Sequence, residues 1–148
     1  MKFSTKTRYG TRTLLDLTLH QDEGLIALKD IAQRQQISLN YLKHLIAPLT
    51  NAGIIRSERG NQGGITLARN PKNVRMLEVI NILEGTMAPV ECVNDPSFCN
   101  RYERCATRHL WGDIKHAIDN VLSAATLQDL ADRQRRQEQT KEEMNYSI

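Results

Sequence analysis

Ile37-Ser38-Leu39-Asn40-Tyr41-Leu42-Lys43-His44-Leu45-Ile46-Ala47-Pro48-Leu49 is the stretch that decides how this chain folds. Leu42, Leu45, Ile46 and Leu49 recur at spacings of three and four, the apolar stripe of a helix. Ser38 stands just ahead of the stripe, where a hydroxyl caps free backbone amides, and Gly53 is a natural stop behind it. Off the stripe lie Ser38, Asn40, Tyr41, Lys43 and His44, all able to donate or accept at base edges and phosphates. Pro48 removes one backbone donor and predicts a kink or an early loosening of the helix.

The pattern extends in both directions. Before it, Gln36-Ile37-Ser38 reads as a tight connection from a short helix marked by Leu28, Ile31, Ala32 and Gln35. Before that, Tyr9, Thr13, Leu14 and Leu17 give helical spacing over residues 5–19, with Ser4 or Thr5 as cap. After it, Ile54-Ile55-Arg56-Ser57 and Ile65-Thr66-Leu67 are β-type runs. They flank the polar, glycine-rich tip Glu58-Arg59-Gly60-Asn61-Gln62-Gly63-Gly64. Three short helices and a hairpin are the order of a winged helix-turn-helix, whose third helix enters the major groove. The expected fold is mainly α with a small β-hairpin. At the tip, Gly60 lets backbone approach a phosphate and Arg59 suits a narrow minor groove. Lys6 and Arg8, at the start of the first helix, are candidates for phosphate contacts.

Charge agrees with a polyanionic partner. Residues 1–75 carry 12 Lys and Arg against 5 Asp and Glu, a net of +7, and the remaining residues net −4. The expected partner is double-stranded DNA. The 148 residues suit one domain with an extension. No apolar run approaches a membrane span and no signal peptide is evident, so the expectation is a cytoplasmic protein without membrane contact. The chain has no Gly-x-Ser-x-Gly, His-Glu-x-x-His or Gly-x-x-x-x-Gly-Lys, which argues against an enzyme.

The second half is organised differently. Asn70-Pro71 is a turn, and Val74 to Leu83 reads as a helix with Met76, Val79, Ile80 and Leu83 inward. Residues 86–104 show no period and read as a loop. From Cys105 a long helix is expected, with Thr107, Trp111, Ile114, Ile118, Val121 and Ala125 forming a heptad-like seam for a second copy of the chain. The stretch after Leu130 is polar and reads as a disordered tail.

The three cysteines fall at Cys92, Cys99 and Cys105, with His109 four residues beyond the last. Thiolates at this density suit a zinc ion or an iron–sulfur cluster, and spacing alone does not choose between them. If the helix begins at Cys105, Cys105 and His109 share a face.

Ser4-Thr5-Lys6-Thr7-Arg8-Tyr9-Gly10, Ile31-Ala32, Ile37-Ser38-Leu39-Asn40-Tyr41-Leu42, Arg59-Gly60-Asn61-Gln62-Gly63-Gly64, Val79-Ile80 and Leu83-Glu84-Gly85 are met in this order, followed by the cysteine-rich stretch and Leu110-Trp111. Together they resemble the iron–sulfur cluster regulator family of winged helix-turn-helix bacterial transcription repressors (IscR type), in one register from about residue 1 to residue 132.

The resemblance implies a homodimer on partly palindromic promoter operators. It implies a cluster held by Cys92, Cys99 and Cys105, with His109 as the candidate fourth ligand. A [2Fe–2S] cluster is slightly favoured and [4Fe–4S] is the alternative, because His109 lies one residue past the histidine of the two-iron members, where this chain has Arg108. Lys43 replaces an acidic residue of some cluster-biogenesis regulators. A second expectation is a metal-free repressor of sulfur metabolism controlled by a partner protein. The implied organisation is a DNA-binding domain at 1–85, a cluster loop at 86–104, a dimerisation helix region at 105–132 and a tail at 133–148.

Overall fold

The computed structural model describes residues 1–147. Helix α1 (Thr5–Leu19) starts where Ser4 caps it, its Oγ accepting from the Thr7 amide at 3.1 Å. Helix α2 (Leu28–Gln35) ends on Gln36, whose left-handed φ of 54° turns the chain sharply. The Ile37 amide then closes on the Ala32 carbonyl at 3.0 Å. Helix α3 (Leu39–Asn51) begins on Ser38, whose Oγ accepts from the Tyr41 amide at 3.1 Å.

The loosening expected at Pro48 does not occur. The helix runs on to Asn51, and the Ala52 amide still closes on the Pro48 carbonyl. Proline deprives only the His44 carbonyl of its intrahelical donor, and His44 is exposed, so water can satisfy that carbonyl.

Strands β1 (Ile55–Glu58) and β2 (Gly64–Leu67) pair antiparallel, Ile55 opposite Leu67 and Glu58 opposite Gly64. Ile26 adds a third line to this hairpin: its amide and carbonyl both bond to Ile65 at 2.9 Å. The core lies beneath, where Leu14, Leu17, Ile31, Leu42, Leu49, Ile54, Ile55 and Ile65 are fully buried. This apolar block supplies the main driving force for the domain.

Helix α4 is shorter than the sequence predicts, Met76–Leu83 rather than from Val74. Val74 and Met76 are committed elsewhere. The Leu127 amide donates to the Val74 carbonyl and the Met76 amide to the Ala125 carbonyl, both at 2.9 Å. The same bonds correct the long helix. It is two helices, α6 (Ala106–Ala124) and α7 (Leu127–Tyr146), with Ala125 and Thr126 extended between them. Between α4 and α6, the expected loop carries a short helix α5 (Glu91–Asn94) and single 3₁₀ turns at Pro96–Phe98 and Tyr102–Arg104.

The expected disordered tail is also corrected: residues 133–146 continue α7. Its start is fixed by a capping box, Thr126 Oγ1 accepting from the Asp129 amide at 3.1 Å and Asp129 Oδ2 from the Thr126 amide at 2.9 Å. Leu127 and Ala131 are fully buried and anchor the first turns. The polar remainder is supported by side-chain pairs one turn apart, such as Gln134 with Glu138 at 2.8 Å.

Candidate nucleic-acid interface and cysteine segment

The N-terminal end of α3 presents Ser38, Asn40, Lys43 and His44 to solvent, with Tyr41 half-buried beside them. Capping uses a lone pair of the Ser38 hydroxyl and leaves its hydrogen free to donate. Arg59 and Gly60 are exposed at the hairpin tip. Lys43 on α3, with Arg59 and Gly60 on the hairpin, lines a single groove between the helix and the wing. The groove therefore carries cations on both walls.

Glycine shapes the wing at three points. A Cβ on Gly63 would lie 2.4 Å from the Glu58 carbonyl oxygen, and one on Gly64 would lie 2.4 Å from the Ile26 carbonyl oxygen. Both contacts are with backbone, which cannot swing aside, so any side chain there would force the strands apart. Gly60, at φ 116°, makes the bend itself.

Helix α1 buttresses the first turn of α3. Tyr9 meets Tyr41 edge to face, centroids 6.1 Å apart and planes at 89°. The Arg12 guanidinium lies 5.2 Å over the Tyr9 ring, and Arg12 Nε donates to Gln35 Oε1 at 3.1 Å. Asp16, 3% exposed, receives Arg34 through two bonds of 2.9 and 2.6 Å and Gln35 Nε2 at 2.8 Å. Burial alone would raise the Asp16 pKa, but the bonds from Arg34 and Gln35 and the Arg34 charge outweigh it and hold the carboxyl below its ordinary value. The result is a polar chain from α1 through the end of α2 to the first turn of α3. Sequence reading missed Arg12 in this role. The available signal was its position four residues after Arg8, on the same helical face. Lys6 and Arg8 are exposed on the first turns of α1.

The cysteines are arranged differently. Cys105 is the N-cap of α6 and the helix begins one residue later, at Ala106; His109 is exposed on the first turn. Cys99 and Cys105 line one concavity beside Arg101 and Arg104. Cys92, half-buried on α5, is outside that lining. Among the described residues no three His, Cys, Asp or Glu side chains converge on a point where a metal would sit. The donor chemistry nevertheless suits a soft metal centre. The Cys105 thiol contacts Thr107 Oγ1 at 3.1 Å. That bond and the amide of Arg108 shift it toward thiolate. In donor type the thiols thus fit a cluster, and two of the three already share a wall.

Helix α6 has no buried residue along its length. Trp111, Ile114 and Ile118 are half-buried, and Leu110 and Val121 are exposed, at 53% and 70%. Such an apolar face is what a helix keeps for a partner surface.

Fold, basic groove and the buttressed third helix are those of a winged helix-turn-helix DNA-binding protein. Residues 3–133 match the Rrf2 family, described as an iron-dependent transcriptional regulator. The chain belongs to that family and is a DNA-binding transcription regulator rather than an enzyme.

Protein rrf2 of Nitratidesulfovibrio vulgaris is 44% identical over 130 residues, covering 88% of this chain and 87% of that protein. The HTH-type transcriptional regulator CymR of Bacillus subtilis is 41% identical over 131 residues, covering 88% and 90%. The structure of that protein, the global cysteine regulator of B. subtilis, superposes with a TM-score of 0.76 at 39% identity over 90% of this chain and 98% of that one. The structure of T. potens IscR gives 0.73 at 37% over 90% and 88%. IscR and CymR are thus both among the relatives. No helix among the described residues is long and apolar enough to cross a membrane.

Proposed function

We propose that this chain is a cytoplasmic, homodimeric transcription repressor whose operator binding is controlled by an iron–sulfur cluster. The observation that carries the DNA reading is the groove walled by Lys43 of α3 and Arg59 of the wing. In this reading, Ser38, Asn40, Tyr41, Lys43 and His44 meet base edges and flanking phosphates in the major groove. Arg59 enters the adjoining minor groove, Gly60 admits the phosphate backbone, and Lys6 and Arg8 hold phosphates outside. Two copies joined along the apolar face of α6 would place two reading heads on a partly palindromic site.

Cys92, Cys99 and Cys105 would hold the cluster, with His109 as a candidate fourth ligand. The cluster, [2Fe–2S] or [4Fe–4S], supplies a redox- and iron-sensitive group. The chain's own part is ordering residues 92–105, which lead into α6 and so bear on the spacing of the two reading heads. Anaerobic purification, an ultraviolet–visible spectrum, and iron and sulfide analysis test this: a brown protein supports it, and a chain that stays colourless after reconstitution overturns it.

The similarity to CymR favours one other reading, a metal-free repressor of sulfur metabolism controlled by a partner protein. In that case the colourless protein would still bind its operator, and a partner would alter that binding.

A further inference from the structure

Lys43 and Ala47 stand one turn apart on α3 and line the groove between that helix and the wing. Both are exposed, as are Arg59 and Gly60 across from them. Helices α2 and α3 and the hairpin supply the whole lining, and no residue of α6 or α7 reaches it. The groove is therefore separate from the apolar face of α6. Lys43 and Arg59 take part in no ion pair among the described residues. Glu58 is the one acidic residue of the lining. Ser57 pairs with the fully buried Ile65, so Ser57 shares the domain side of the hairpin and Glu58, next along the strand, faces the outer side. There its carboxylate lies 3.9 Å from Arg56, its neighbour on that outer side.

In the DNA reading above, α3 occupies the major groove and Arg59 the adjoining minor groove. One sugar–phosphate strand separates those two grooves in any duplex, so that strand must cross between α3 and the wing. Ala47 lies in its path. It belongs to the third turn of α3, beyond the N-terminal residues that such helices place at base edges. Its side chain is a single exposed methyl group, flanked by the Lys43 ammonium on one wall and by Arg59 on the other.

We propose that Ala47 admits the DNA strand between the reading helix and the wing, its small side chain setting the clearance. This rests on the DNA reading above and deepens it by naming the residue that seats the strand. The effect is sequence-independent, because the strand is the same whatever bases it carries. An exposed alanine could instead read bases, its methyl packing on that of thymine. The two roles differ in whether sequence matters.

The test uses the full chain with two duplexes, an operator selected from a random pool and one of unrelated sequence. Ala47→Leu and Ala47→Gln are compared with the parent and with Ala47→Ser. Leucine and glutamine are good helix formers and the position is exposed, so circular dichroism and oligomeric state should match the parent. Both larger variants should lose affinity for both duplexes by a similar factor, at least about tenfold, since Lys43 and Arg59 can no longer reach the strand together. Ala47→Ser, one atom larger than the parent, should bind close to it.

Parent affinity in either larger variant overturns the proposal and leaves the DNA reading standing. A serine variant as weak as the leucine variant also overturns it, because clearance would then not be the cause. A loss confined to the selected operator overturns it too, and assigns Ala47 to base reading. A parent that binds neither duplex overturns the DNA reading, and this proposal with it.

Discussion

Glu84, at the end of α4, accepts the Ser4 amide at 3.0 Å and the Ser4 hydroxyl at 2.7 Å at the start of α1. The Thr7 hydroxyl donates to the same oxygen. One carboxylate therefore caps α1 and ties it to a helix some eighty residues away in sequence. Three residues on, α1 approaches α4 so closely that a Cβ on Gly10 would sit 2.6 Å from Leu83 Cδ1. The motifs Ser4-Thr5 and Tyr9-Gly10, together with Leu83-Glu84-Gly85, are thus two halves of one joint. Replacing Glu84 with Ala leaves the Ser4 amide and two hydroxyls without this acceptor. The expected loss is about 1–2 kcal/mol, read as a lower urea midpoint with an unchanged slope.

Asp16 sets an acid limit on the domain. Its carboxyl is held below the ordinary value in the native state, chiefly because the Arg34 and Gln35 bonds overcome burial. A lowered native pKa means that the unfolded chain takes up the proton first as pH falls. The stabilisation is complete above pH ~3.9 and is lost as pH falls through the lower native value. Asp16→Asn should lower stability by about 1–2 kcal/mol at neutral pH, the loss of charge-assisted bonds to a solvent-exposed Arg34, and should flatten the acid side of the stability–pH curve. An equally steep acid limb in the variant would show that another group is responsible.

Gly64→Ala tests the wing. Its Cβ would meet the Ile26 carbonyl oxygen at 2.4 Å, so the hairpin must leave the domain or distort. The expected outcome is a loss of about 2–3 kcal/mol and much weaker DNA binding, with helical circular dichroism largely kept.

Arg59→Ala separates contact from fold. Arg59 is exposed and its removal disturbs no core residue. Operator affinity should fall by about 1–3 kcal/mol, roughly five- to 150-fold, with thermal stability and oligomeric state unchanged. Loss of the dimer would place the hairpin in the interface between copies.

Much of the N-terminal fold is written locally. The bounds of α1 follow from Ser4 and a clean period of three and four, and α3 follows from Ser38 and its leucines. What was not legible depends on distant partners. Val74 looks helical by composition, but its carbonyl is taken by Leu127, and that pairing also breaks the expected long helix at Ala125. Ile26 joins the wing through Ile65, a partner no local pattern identifies. The distal part of α7 has almost no apolar residue to betray a helix; it rests on a cap, two buried anchors and polar pairs. For the site, the exposed residues of α3 and the wing could be named from the sequence because polar side chains off an apolar stripe must face out. The cysteines could be named as donors, but their positions relative to one another depend on the turns at Pro96–Phe98 and Tyr102–Arg104, which have no periodic signal.

The most direct test of cluster control is the operator affinity of anaerobically purified Cys99→Ser beside the parent, with iron and sulfide measured on both. Operator DNA obtained by selection from a random pool serves both proteins. The expected result is a parent that carries iron and sulfide and a variant that has lost them, with affinities differing by roughly 5- to 150-fold, the usual range of coupling between two sites. Equal metal content and equal affinity in the two proteins would contradict it.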